Sequence, residues 1–362
     1  MTKRVFNFNP GPATLPLPVL EEAQKDLLNY KNTGMSVMEM SHRSKEVSEL
    51  IEEAEALMKE LLEIPQDYRV LFLQGGASSQ FYMVPMNFLR EGSEANYIIT
   101  GSFAEKAYKE AVKIGPTHIA ASTKEENFTR IVKPEEIKLS SHPAYVHITS
   151  NNTIYGTQWH AFPDFGDIPL VADMSSDILS RRFDVSKFAL IYAGAQKNLG
   201  PAGVTVVIIR PDMLERVPDH LPTMLKYDTH AEKNSLYNTP PVFAIYMVTL
   251  VLRWVKNSGG LAAIEKQNEE KAKVLYDVLD NSGGFYRGHA QKDSRSLMNV
   301  TFRLPNEELE KLFLSEAADQ GIVGVKGHRS VGGMRASIYN AMTLEGCRAL
   351  ADFMKEFQRR HG

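Results

Sequence analysis

Six short apolar runs that do not alternate with polar residues constrain this chain more than anything else in it. They are Val70-Leu71-Phe72-Leu73, Ala95-Asn96-Tyr97-Ile98-Ile99-Thr100, Tyr145-Val146-His147-Ile148-Thr149, Leu170-Val171-Ala172, Leu190-Ile191-Tyr192 and residues 204–209. A strand with one wet face alternates, whereas a strand covered on both faces reads as a continuous apolar run. Helical periodicity fills the stretches between them. Residues 46–63 place Val47, Leu50, Ile51, Ala54, Leu57, Met58, Leu61 and Leu62 at three- and four-residue spacing, with Ser44 positioned to cap the helix. The pattern predicts an α/β sandwich around a mainly parallel sheet.

Residues 244–255 and 261–279 read as two more helices, separated by the helix stop Lys256-Asn257-Ser258-Gly259-Gly260. After Ser282-Gly283-Gly284 the order becomes strand (297–304), helix (307–320), strand (334–338), helix (344–359). A chain of 362 residues is long enough for two domains, and this tail reads as a smaller C-terminal one of about 100 residues joined through the 261–279 helix.

Composition narrows the function. Hydrophobic residues at 43% and charged residues at 23% are ordinary for a globular chain, which excludes fibrous and disordered classes. A net charge of −3, with no long basic stretch, excludes a nucleic-acid surface. No apolar run is long enough to span a bilayer. The first ten residues reach Asn, Pro and Gly before any apolar signal core can form. Cys347 is the only cysteine, so no intrachain disulfide asks for an oxidising compartment, and the expectation is a cytoplasmic protein without a membrane.

Chemistry concentrates in three places. Ala193-Gly194-Ala195-Gln196-Lys197-Asn198-Leu199-Gly200 puts a lysine at the end of an apolar strand among residues small enough for a flat ligand to approach. Desolvation there would free its amine as a nucleophile, though the segment alone fits a surface lysine on a glycine-rich turn better. Asp173 follows the run Leu170-Val171-Ala172, one strand crossover before Lys197. A carboxylate so placed can keep a pyridine nitrogen protonated, and the pair favours a cofactor site. Leu73-Gln74-Gly75-Gly76-Ala77-Ser78-Ser79 reads as strand, glycine turn and helix start: an anion site, or a plain turn with a serine cap. Neither a Walker loop nor G-x-G-x-x-G occurs, so a nucleotide is disfavoured and a small phosphate favoured.

With these residues in view, the chain resembles the phosphoserine aminotransferases, class V enzymes of the type I pyridoxal-phosphate fold. The resemblance rests on Asn9-Pro10-Gly11-Pro12-Ala13, Met40-Ser41-His42-Arg43-Ser44, Gln74-Gly75-Gly76-Ala77-Ser78, Thr100-Gly101-Ser102-Phe103, Asp173-Met174-Ser175-Ser176-Asp177, Gln196-Lys197-Asn198-Leu199-Gly200, Asn238-Thr239-Pro240-Pro241 and residues 327–337. It implies a large domain built on a mainly parallel seven-stranded sheet (16–260), a small α+β domain (261–362) and an N-terminal segment (1–15) packed on the small domain.

The resemblance also implies pyridoxal 5′-phosphate as the cofactor, without a metal. Lys197 would carry its Schiff base, Asp173 would face its ring nitrogen, Thr153 its hydroxyl and Phe103 its ring face, while Ala77, Ser78 and Gln196 would hold its phosphate. Where the family has tryptophan this chain has Phe103, with less stacking area and no N–H donor. Asn238 and Thr239 would reach the phosphate from a second subunit, implying a homodimer with shared active sites. Arg335 would hold the substrate α-carboxylate, and His42-Arg43 with His328-Arg329 would hold its far anionic end. The implied reaction passes the amino group of glutamate to 3-phosphohydroxypyruvate, giving O-phosphoserine and 2-oxoglutarate in serine biosynthesis. A phosphorylated hydroxythreonine of pyridoxine biosynthesis is a related substrate. Serine- and alanine-glyoxylate aminotransferases share the implied fold and are the alternative. A cysteine desulfurase fits poorly, because Cys347 falls in a predicted helix.

Overall fold

Both faces of the central strands are used. The structure, a computed structural model, describes residues 4–362; the parts of the 1–15 segment and of the signal-sequence reading that fall on residues 1–3 lie outside it. Seven strands form the main sheet: β1 (Arg69–Leu73), β2 (Glu94–Ile99), β3 (Thr117–Ser122), β4 (Pro143–Thr149), β5 (Leu170–Asp173), β6 (Leu190–Gly194) and β7 (Thr205–Ile209). In space their order is β1-β7-β6-β5-β4-β2-β3. Alternate residues of one strand enter opposite cores. Val70 and Phe72 pack with α1 (Lys45–Leu62) on one face. Leu71 and Leu73 pack with α2 (Gly76–Phe88) and α3 (Ser102–Val112) on the other. That two-sided burial is why these runs do not alternate.

The structure departs from the sequence reading at two strands. β7 runs antiparallel to both β6 and β1, while β6, β5, β4, β2 and β3 are mutually parallel. The turn between β6 and β7 is too short for a crossover helix, so the pair can only be a hairpin. β3 did not register among the apolar runs. It is one of the two edge strands, and with only Ala120 buried and Ile119 exposed it lacks the continuous apolarity that β1 keeps at the other edge.

Ser44 caps α1, accepting from the Val47 N–H at 3.3 Å. α4 (Val242–Asn257) lies on the α1 face and stops before Gly259, whose φ of 97° begins α5 (Gly260–Asp280). Beyond α5 a three-stranded antiparallel sheet, β8 (Arg287–Gly288), β9 (Asn299–Arg303) and β10 (Met334–Ser337), is covered by α6 (Glu307–Asp319) and α7 (Leu344–His361). These elements share an apolar cluster of their own with the far half of α5. Near the N-terminus, Phe6–Asn7 pairs in parallel with Ile322–Val323, and Phe8 joins the same cluster.

Candidate functional site

The β6–β7 hairpin presents Lys197 at its tip. Both the Leu199 and Gly200 N–H groups bond the Ala195 carbonyl, closing the loop tightly, and the chain then returns antiparallel with Thr205 opposite Gly194. The N-terminal segment lies against this loop: the Ala13 N–H donates to the Gln196 carbonyl at 2.9 Å. Gly11, at φ 137°, approaches so closely that a Cβ there would stand 3.2 Å from Lys197 Cγ. At Gly194 a Cβ would meet the Gln196 side chain at 2.8 Å, so that amide folds over the strand end.

One hydrogen bond holds the lysine amine: Nζ donates to Thr153 Oγ1 at 2.7 Å. Desolvation lowers its pKa from 10.5 to about 8; the nearby Arg335 charge lowers it too, and Asp173 and Asp177 oppose. Phe103, the second residue of α3, has its ring centre 5.3 Å from Nζ. α3 can begin this close because Gly101 has no side chain; a Cβ there would lie 2.4 Å from Asn152 Oδ1.

Asp173 ends β5, paired with Tyr192 of β6, and is only 5% exposed. Burial raises its carboxyl above the ordinary range, opposed by the Ser175 N–H, 2.9 Å from Oδ1, and by the Lys197 charge. Its neighbour Asp177 is buried as well, but Ser150 and Gln158 donate to it, which makes it part of the support.

Arg335 projects from β10 to the same threonine: Nη1 donates to the Thr153 carbonyl at 3.4 Å, while Nε, although buried, has no partner. Unpartnered buried donors are rare, and this one belongs to a guanidinium suited to a carboxylate. His328 lies close enough to Arg335, Lys106 and Arg329 for their charges to add to burial in lowering its pKa. Its ring is tied to Ser330, Nδ1 to Oγ at 2.6 Å, within a turn closed by the Gly327 N–H on the Gly333 carbonyl. Lys106, whose Nζ stands 5.0 Å from the Phe103 ring centre, was not singled out in the sequence. Its helix spacing carries no mark of the site, and only the placement of α3 reveals it.

Ala77 and Ser78 are the second and third residues of α2, after Gly75 at φ 89°. No side chain caps this helix; the Ser79 hydroxyl bonds back to the Gly75 carbonyl. The first-turn N–H groups therefore remain available to an anion, which is the arrangement that distinguishes an anion site from a capped turn.

The remaining predicted residues form a separate group. His42 Nδ1 and Thr239 Oγ1 are 3.2 Å apart, and Gln74 donates to the Thr239 carbonyl at 3.2 Å. Arg43, Asn238 and Thr239 are exposed. Among the described residues no hydrogen bond links His42, Arg43, Asn238 or Thr239 to Lys197, Asp173 or Arg335.

Comparison with known proteins agrees with this geometry. The phosphoserine aminotransferase of Geobacillus kaustophilus (strain HTA426) is 65% identical over 358 residues, 99% of each chain. That of Lysinibacillus sphaericus (strain C3-41) is 61% identical over the full length of both. Among solved structures, the phosphoserine aminotransferase of Bacillus circulans subsp. alkalophilus superimposes with a TM-score of 0.98 at 58% identity, covering 99% of both chains. The pyridoxal-phosphate-bound enzyme of Trichomonas vaginalis gives 0.93 at 38% identity, over 97% of this chain and all of the other. An alanine-glyoxylate aminotransferase from Nostoc sp., at 16% identity and a TM-score of 0.78, shares the fold. The family model described as aminotransferase class-V matches residues 5–350, and the chain belongs to that family.

Proposed function

We propose that this chain is a phosphoserine aminotransferase that moves an amino group, reversibly, from glutamate to 3-phosphohydroxypyruvate with pyridoxal phosphate as cofactor. Relatives at 58–65% identity over essentially the whole length carry that name. The residues present fit the cofactor: a desolvated lysine amine, a buried carboxylate one strand away, an aromatic face and an uncapped helix start.

Pyridoxal phosphate, when bound, supplies a carbonyl carbon to carry the amino group and a protonated ring to draw electrons from the substrate α-carbon. The chain's residues do the rest. Lys197 Nζ, held on Thr153 Oγ1, is the base that would take the proton from the substrate α-carbon and return it to the cofactor carbon bonded to the same nitrogen, which its lowered basicity permits near neutral pH. Asp173 holds a proton on the ring nitrogen through a buried ion pair. The first turn of α2 at Ala77 and Ser78 would bind the cofactor phosphate, with help from the Gln196 side chain, which folds over the end of β6. Phe103 stacks on the ring. Arg335 binds the α-carboxylate, and its unpartnered Nε beside Lys197's own threonine is the observation that carries this reading. Arg329 contributes charge for the substrate's phosphate or side-chain carboxylate, and His328, its pKa lowered by burial and the surrounding cations, contributes a ring N–H donor.

A homodimer completes the site. His42 is tied to Thr239, so wherever Asn238 and Thr239 reach, His42 and Arg43 travel with them. Leu28, Met35 and Met38, shortly before His42 in the chain, are exposed by 86%, 45% and 58%, apolar surface that a second copy would cover. The division into 16–260 and 261–362, with the N-terminal segment on the smaller part, belongs to the same reading and is supported by the separate core around β9 and α7. A cytoplasmic location does too: the lone Cys347 is free and buried, its thiol pushed up to about 12 by burial, which suits neither a disulfide nor a desulfurase nucleophile. Among the described residues, no helix is long and apolar enough to cross a membrane.

The test compares amino donors. Phosphoserine should be used at least about a hundredfold better than serine in kcat/KM, the discrimination expected where charged groups are built for a phosphate. Equal use of both would remove the phosphate site and return the glyoxylate enzymes to contention.

A further inference from the structure

The buried face of α5 carries Ile264, Asn268, Lys271 and Leu275 at helical spacing, two of them polar. Lys271 is wholly buried. A buried ammonium is costly unless its donors are satisfied, and a leucine would pack this stripe without that cost. Among the described residues no carboxylate answers it. Its acceptors are three successive backbone carbonyls, Ile338 at 3.0 Å, Tyr339 at 2.7 Å and Asn340 at 3.5 Å. These follow directly on β10, the strand that carries Arg335.

The same segment is bound to the lysine loop. The Asn340 N–H donates to Asn198 Oδ1 at 3.0 Å, and Asn198 is the residue after Lys197. Asn340 also donates from Nδ2 to the Leu179 carbonyl at 2.9 Å and accepts from Asn268 Nδ2 at 2.9 Å. Asn268 in turn reaches the Ser180 carbonyl. Every joint in this path is buried, and it connects α5, the end of β10 and the Lys197 loop without passing through the cleft. At its open end Arg335 and Lys197 meet on opposite atoms of Thr153.

We infer that Lys271 is a positioning residue for the reaction: by gathering the 338–340 carbonyls it sets where Arg335 stands relative to Lys197. The inference rests on the reading of Arg335 as the carboxylate-binding residue. An ammonium suits the task because its three donors converge on one point, which no apolar side chain achieves.

The experiment uses the cofactor-loaded enzyme and glutamate as donor. Lys271→Met, nearly equal in volume and uncharged, should raise the glutamate KM by about tenfold while kcat changes by less than about threefold, the split expected when a binding group is displaced. Combined with Arg335→Ala, it should add little further, because both changes act on one contact. A folded Lys271→Met enzyme with unchanged KM, or full additivity with Arg335→Ala, would overturn the inference and leave Lys271 a packing residue. Should Lys271→Met fail to fold, Asn198→Ala, which removes the acceptor at the other joint, carries the same readout, and an unchanged KM there overturns it too. Arg335→Ala alone separates the two claims. If it leaves the glutamate KM unchanged, the underlying reading of Arg335 falls; if it raises KM while Lys271→Met does not, only the present inference falls.

Discussion

At the scale of single residues, the site works by placing an amine and a carboxylate where water is scarce and letting neighbours decide their charge. Lys197 is depressed to about 8 chiefly by desolvation, with Asp173 pulling the other way. In cofactor-free protein, capture of pyridoxal phosphate by this amine should therefore rise with pH through about 8 instead of through the ordinary 10.5, since only the neutral amine attacks. Asp173→Asn removes the charge that favours the ammonium, so the profile should move to lower pH; stopped-flow absorbance reads both, and an unchanged profile would show that Asp173 does not act on Lys197. Residue chemistry was only partly legible. Lys197 and Asp173 stood out because each ends an apolar strand. Lys106 and Lys271 did not, because their significance comes from what other elements bring against them.

Elements decide which residues meet. β5 and β6 are parallel neighbours, so their C-terminal ends, with Asp173 and the Lys197 loop, lie side by side at one edge of the sheet. Continuous apolarity revealed these strands because burial on both faces leaves that mark, and it missed β3 because that edge strand, unlike β1 at the other edge, is mostly uncovered. Strand direction leaves no trace in hydrophobicity, so the reversal of β7 had to come from the shortness of its connection. α3 offers a test at this scale. Gly101→Ala would drive a methyl into Asn152 and push the helix start, with Phe103, away from the lysine. Cofactor retention should weaken by about tenfold or more, as expected for a lost aromatic contact plus strain, while the fold persists. Fluorescence titration of cofactor-free protein measures this, and wild-type affinity would show that Phe103 does not cover the ring.

For the molecule as a whole, the two groups of predicted residues make a quantitative demand. If the sites are shared between copies as proposed, Lys197→Ala and Thr239→Ala fail for lesions on opposite sides of one interface. Co-expressed, they should recover about a quarter of the wild-type rate, because half the dimers are mixed and each of these holds one intact site. A mixture as inactive as its parts would place both groups in one chain's site. The motifs identified these residues, but a single sequence does not say which copy a residue serves.

The pairing of Phe6–Asn7 with Ile322–Val323, and of the segment after it with the Lys197 loop, bears on how the chain is made. Residues 6 and 7 find their partner strand only once residues 322 and 323 have been made. The β-sheet core can assemble while later residues are still being added, at roughly 5–20 per second, but the stretch before Gly11 stays without its strand partner until residues 322 and 323 exist. A nascent chain cut short before residue 322 is therefore left with residues 6 and 7 unpaired, next to the segment that lies against its lysine.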